Sequence, residues 1–107
     1  MPTLTNKIIV ITGSTRGFGL ATAEACLAAG ATVVISGRSE ASLQRAIESL
    51  AAGEQVTGWT CDVREEKQVY ALARQTVEKF GRIDIWINNA VIRQAAAYCW
   101  TSIRSKL

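Results

Sequence analysis

The chain has 107 residues, 49% of them hydrophobic and 20% charged, with a formal net charge of +3 and three cysteines but no histidine. This size and balance fit one globular domain and exclude a disordered or low-complexity protein. Residues 1–90 set nine Lys or Arg against nine Asp or Glu, and the excess comes from Arg93, Arg104 and Lys106, which excludes a basic stripe reading DNA or RNA along a folded face.

In chain order, strand-like runs alternate with helical patterns. Lys7–Thr12 (KIIVIT) is a continuous Ile/Val run, which predicts a first parallel strand covered on both faces. A glycine-rich turn follows, and then Leu20, Ala23 and Leu27 recur at helical spacing up to Gly30, a C-terminal cap residue. Thr32–Ile35 (TVVI) predicts a second strand. Ser39 is the expected N-cap of a second helix with Leu43, Ala46, Ile47 and Leu50 on one face, which Gly53 is expected to end. Gln55–Cys61 has strand character weakened by Gly58, a third helix carries Val69, Leu72, Ala73, Thr76 and Phe80 on one stripe, and Ile83–Ile87 (IDIWI) predicts a fourth strand.

Alternation with short connections requires right-handed crossovers between parallel strands. The expected fold is α/β, a doubly wound parallel half-sheet of strand order 3-2-1-4 with helices on both faces. Its ligand crevice is expected beyond the carboxyl ends of the first and fourth strands, where the order reverses.

Thr12-Gly13-Ser14-Thr15-Arg16-Gly17-Phe18-Gly19 lies at that point. Glycines between a strand and a helix permit a tight turn and close approach of a pyrophosphate, whose charge the helix N-terminus favours. The Gly-x-x-x-Gly-x-Gly spacing resembles the T-G-x-x-x-G-x-G signature of the short-chain dehydrogenase/reductase family, and the resemblance runs from about Lys7 to Ala90. It implies a Rossmann-type cofactor half-domain over residues 1–90, with 91–107 a divergent tail. It also implies that Gly13, Ser14, Thr15, Arg16, Gly17, Phe18 and Gly19 cradle the dinucleotide, that Asp62 and Val63 lie near the adenine, and that Asn89 and Ala90 lie beside the nicotinamide ribose. Val91 stands where the family's N-N-A-G has glycine. Asp62 with Glu65 also has the spacing of a reciprocal capping box for the third helix.

After the second strand the chain reads Ser36-Gly37-Arg38-Ser39, with no carboxylate for an adenosine ribose. Arg38, beside Ser39, and Arg16 in the glycine turn offer two guanidinium groups to a 2′-phosphate, so NADP is expected in preference to NAD.

The resemblance implies an oxidoreductase moving hydride between NADP(H) and a carbonyl or alcohol substrate. The family's catalytic Ser and Tyr-x-x-x-Lys have no counterpart in these residues, because Tyr70 is followed four residues later by Arg74 and Tyr98 by Ser102. The expectation is a truncated or frame-shifted product, inactive alone. A non-catalytic nucleotide-binding or interaction module, self-associating through the exposed edge of the fourth strand, is the alternative. Three cysteines without C-x-x-C spacing give no metal site and fit a reducing compartment. The chain has neither a signal-peptide pattern nor a long apolar span, which predicts no membrane partner and a cytoplasmic location. The terminal Ser105-Lys106-Leu107 matches a peroxisomal address, which is read here as accidental.

Overall fold

The computed structural model describes residues 3–89. Four parallel strands, β1 (Ile8–Ile11), β2 (Thr32–Gly37), β3 (Val56–Thr60) and β4 (Ile85–Ile87), form one sheet in the order β3-β2-β1-β4. Helices α1 (Gly17–Ala28), α2 (Glu40–Leu50) and α3 (Glu66–Phe80) are the crossovers. The expected class, strand order and element sequence are those found.

Alternation along the strands explains why β1 and β2 read as unbroken apolar runs. Ile9, Ile11, Val33 and Ile35 face one way and pack with Ala23 and Cys26 of α1 and Leu43 and Ala46 of α2. Val10 and Val34 face the other way, onto Val69, Leu72 and Ala73 of α3. Both faces are covered, so these positions are apolar on both sides, and each buried Val, Ile or Leu adds about 1.5–3 kcal/mol of hydrophobic stabilisation.

The ends of the elements differ from the expectations in informative ways. β2 runs two residues past Ile35 because Ser36 and Gly37 keep pairing with Trp59 and Thr60. β4 starts only at Ile85, because Asp84 substitutes a side chain for part of the ladder. Its Oδ2 accepts from the Ile8 amide at 2.8 Å while its own amide donates to the Ile8 carbonyl at 2.9 Å. Gly53 does not end α2. Ala51 takes the left-handed conformation there (φ 48°) and donates its amide to the Ile47 carbonyl, while Gly53 opens a short 3-10 turn. At α1 the expected arrangement holds, with the helix ending at Ala28 and Gly30 at φ 96° two residues beyond.

The Asp62–Glu65 capping box does not form. Glu65 is itself the N-cap residue of α3 and its side chain makes no cap bond. Asp62 instead accepts from the Arg64 amide, and Gln68, one turn into the helix, reaches back to accept from the Asp62 amide at 2.8 Å. The reciprocal partner is thus three residues further along than the motif spacing indicates.

Candidate functional site

The carboxyl ends of β1, β2 and β4 meet at the glycine-rich turn, and the turn is held rigidly from below. Ser14 is fully buried. Its hydroxyl donates to the Ile11 carbonyl at 2.7 Å and accepts from the Ser36 amide at 3.0 Å, while its own amide donates to the Ser36 carbonyl at 2.9 Å. This side chain is spent tying the turn to β1 and β2. From the other side, the Asn89 amide donates to Thr12 Oγ1 at 3.1 Å and Asn89 Nδ2 donates to the Gly13 carbonyl at 2.9 Å. The segment after β4 therefore fixes the entry to the turn.

Gly17 sits at φ 60°, a conformation that disfavours any residue with a Cβ, and opens α1. Gly19 is required by space. A Cβ there would run into the Gly13 carbonyl and lie 2.6 Å from Asn89 Nδ2 and 2.8 Å from Ser14 Cα. The first turn of α1 thus packs directly on the turn that precedes it. Arg16, the N-cap residue, makes no side-chain cap bond, and the first turn carries no acid. The amides at this helix start are free to meet an anion. Phe18 is 87% exposed beside them, an apolar face that nothing among the described residues covers.

Thr15, Arg16, Arg38 and Ser39 line one cleft of about 540 Å³ that continues between α1 and α2 past Leu20, Ser42 and Arg45. Ser39 caps α2, accepting from the Ser42 amide at 3.4 Å, so its hydroxyl contributes to the fold as well as to the cleft wall. At Gly37, the last residue of β2, a Cβ would lie 2.6 Å from Thr15 Cγ2. A side chain at position 37 would therefore have to displace that of Thr15 in the glycine turn. This long-range contact and the position of Arg45 are not legible in local sequence pattern.

Asp62 follows β3 two residues past its end. Arg64 donates to it through Nε and Nη2, at 3.0 Å to Oδ1 and 2.8 Å to Oδ2, and through its backbone amide. These hydrogen bonds, with smaller contributions from the charges of Arg64 and Arg38, hold its carboxyl down to about 2 from the ordinary 3.8. Arg38 and Asp62 therefore feel each other across the crevice, although they are far apart in sequence. Val63 is half-buried against the α3 side of the core. The neighbouring Cys61 is buried, and burial followed by the Asp62 charge pushes its thiol up to about 11, which keeps it protonated and unreactive at neutral pH. No group of His, Cys, Asp and Glu able to hold a metal occurs among the described residues. Ala90 and the terminal Ser-Lys-Leu lie outside the described residues.

The arrangement is a crevice at a topological switch point, with the glycine turn between β1 and α1 opening onto it. The short chain dehydrogenase family model matches residues 7–102, and the chain belongs to that family. It is similar to chlorophyll(ide) b reductase NOL of Arabidopsis thaliana (48% identical over 84 residues, covering 77% of this chain and 24% of that protein) and of Oryza sativa subsp. japonica (49% over 85 residues, 77% and 25%). Among solved structures it resembles a variant actinorhodin polyketide ketoreductase with NADPH (34% identical, TM-score 0.77, covering 86% of this chain and 36% of that one). It also resembles a Burkholderia phymatum short chain dehydrogenase/reductase in complex with NAD (38%, TM-score 0.73, 80% and 31%). The chain spans about a quarter of the length of the two plant relatives.

The cytoplasmic expectation is corrected by these relatives, both named as chloroplastic proteins, which point to a plastid rather than the cytoplasm. The physical reason is that a folded cofactor domain carries no address. Compartment is read from separate segments, so pattern within the domain is silent about it. No helix among the described residues is long and apolar enough to cross a membrane.

Proposed function

We propose that this chain is the cofactor-binding part of an NADP-dependent oxidoreductase that moves hydride between the dinucleotide and a carbonyl or alcohol substrate. The observation that carries this reading is the pairing of Arg16 and Arg38 on one cleft that no acid lines, with a glycine at position 37. The crevice fits the dinucleotide: Gly19 lets the start of α1 pack directly on the glycine turn, and the α1 amides and the two guanidinium groups offer only donors and positive charge. Bound there, the nicotinamide ring supplies the hydride. The residues of this chain bind and orient. Gly13 to Gly19 hold the pyrophosphate, Arg16, Arg38 and Ser39 hold the 2′-phosphate, Asp62 and Val63 flank the adenine, and Asn89 fixes the glycine turn and, with Ala90, borders the nicotinamide ribose.

The 107 residues contain no Tyr-x-x-x-Lys pair to pass a proton, so binding without turnover is the expected behaviour of the chain by itself. Titrating the purified chain with NADPH and NADH by nucleotide fluorescence, then assaying a ketone panel by loss of NADPH absorbance, tests both parts. The reading predicts tighter NADPH binding and no sustained turnover. Equal affinities contradict the cofactor assignment, and turnover that persists through further purification contradicts the binding-only role. A second reading, an interaction module, draws on β4, an edge strand whose Ile85 is 37% exposed. A sedimentation series that stays monomeric over a wide concentration range would remove self-association from it.

A further inference from the structure

Arg45 lies on α2 beyond every motif considered above, yet it lines the same cleft as Arg16 and Arg38. Ser42, Arg45, Ala46 and Ser49 recur at three- and four-residue spacing, which puts them on one face of α2. Ala46 is buried as the floor. No Asp or Glu lines this cleft.

The other described arginines show that the arrangement is selective. Arg64 is engaged by Asp62, Arg82 by Asp84 and the Asn6 carbonyl, and Arg74 lies 5.0 Å over the Tyr70 ring. The side chains of Arg16, Arg38 and Arg45 have neither an ion pair nor a hydrogen bond among the described residues, although the charge of Arg38 reaches Asp62. Neither acid of α2 forms an ion pair with Arg45. Glu40 accepts a hydrogen bond from Gln44 at 3.2 Å, and Glu48, three residues beyond Arg45, forms no ion pair with it. Three like charges facing one small space repel one another, and an anion of high charge density placed between them relieves that repulsion. A cleft of about 540 Å³ has dimensions comparable to the Debye length, about 10 Å in 0.1 M salt, so the field of the third guanidinium reaches a group held by the first two.

We infer that Arg45 is a third specificity residue for the nucleotide, selecting a ligand with an additional phosphate on the adenosine ribose through the positive field it adds to the Arg16–Arg38 cleft. This rests on the NADP reading above and extends it to a residue that need not touch the phosphate. Arg45 is exposed, so replacing it leaves the core intact.

The test is fluorescence titration of the full chain with NADPH and with NADH, for wild type and for Arg45→Gln and Arg45→Lys, in low and in high salt, with circular dichroism confirming the fold. Arg45→Gln is expected to weaken NADPH binding about three- to tenfold in low salt while leaving NADH within about twofold, and the difference is expected to shrink in high salt. Arg45→Lys, which keeps the charge, is expected to retain most of the wild-type preference. Wild-type titrations separate the two levels of the account. No NADPH preference in wild type overturns the NADP reading and this inference together. A clear wild-type preference that Arg45→Gln leaves untouched, or a loss of both nucleotides alike, overturns the inference alone.

Discussion

The two faces of the sheet treat their arginines in opposite ways. On the α3 face and at the start of β4, Arg64, Arg74 and Arg82 are each committed to a partner: a carboxylate, a ring, and a carboxylate with the distant Asn6 carbonyl. On the α1–α2 face, Arg16, Arg38 and Arg45 line a cleft with no acid in it. Charge on the first face helps to set the conformations of turns and helix ends. Charge on the second forms no ion pair among the described residues, with only the field of Asp62 reaching Arg38, and it stands where the sheet topology puts the crevice. The difference separates structural from binding cations without reference to any relative.

The largest expected effect is on the cradle that serves the uncompensated face. Gly19→Ala places a methyl group against the Gly13 carbonyl and Asn89, all backbone or tightly held atoms. It is expected to cost about 1–3 kcal/mol of stability by overpacking, and displacing the turn is expected to weaken either nucleotide by about a hundredfold; denaturant unfolding and titration measure the two. Next comes Gly37→Asp, which adds both a clash with Thr15 and a negative charge beside the cleft. NADPH affinity is expected to fall about tenfold or more and NADH affinity much less, because like charges brought together cost far more than a lost contact. An unchanged NADPH:NADH ratio would show that position 37 does not face the ribose.

A smaller effect is expected on the committed face. Arg64→Ala removes the main cause of the depressed Asp62 carboxyl, which is expected to rise from about 2 toward 3.8, as read by carboxyl NMR titration. The sign of the pH dependence follows from the depression. In wild type the carboxylate's contribution is present above about pH 4 and is lost as pH falls toward 2. In the variant that acid-side loss disappears, while the NADPH:NADH ratio at neutral pH is expected to stay as it was. A changed ratio would mean that the two faces are not separate in function.

Most of the fold was legible because its signals are local. β1 and β2 announce themselves by unbroken Ile and Val, α3 by its apolar stripe, and the Ser39 cap and the glycine turn by residue type and position. Strand order followed from the rule that parallel strands need crossovers. What escaped the sequence depends on partners far along the chain or on competition between neighbours. Ala51 already turns left-handed two residues before Gly53, because the helix ends where its last packed residue, Leu50, meets the core. Asp62 bonds to Arg64 because a guanidinium fork outcompetes the reciprocal cap that Glu65 offered. In the site, the motif residues fall around one crevice as expected, but their jobs are divided in a way that the motif does not state. Ser14 and Asn89 hold the turn in place, while Arg16 and Arg38 face the open cleft. Asn89 lies 76 residues from the Gly13 carbonyl that it meets, and no periodicity reports such a contact.

The central claim is that the three unpaired arginines form one site for a phosphate on the adenosine ribose, and the most direct measurement is the ratio of NADPH to NADH affinity in wild type and in the Arg16→Ala/Arg38→Ala double variant, with Arg74→Ala as the control from the opposite face. The account predicts a wild-type ratio well above one, a ratio near one in the double variant with NADH binding retained, and no change in Arg74→Ala. A wild-type ratio near one, or a double variant that keeps its preference, would contradict it.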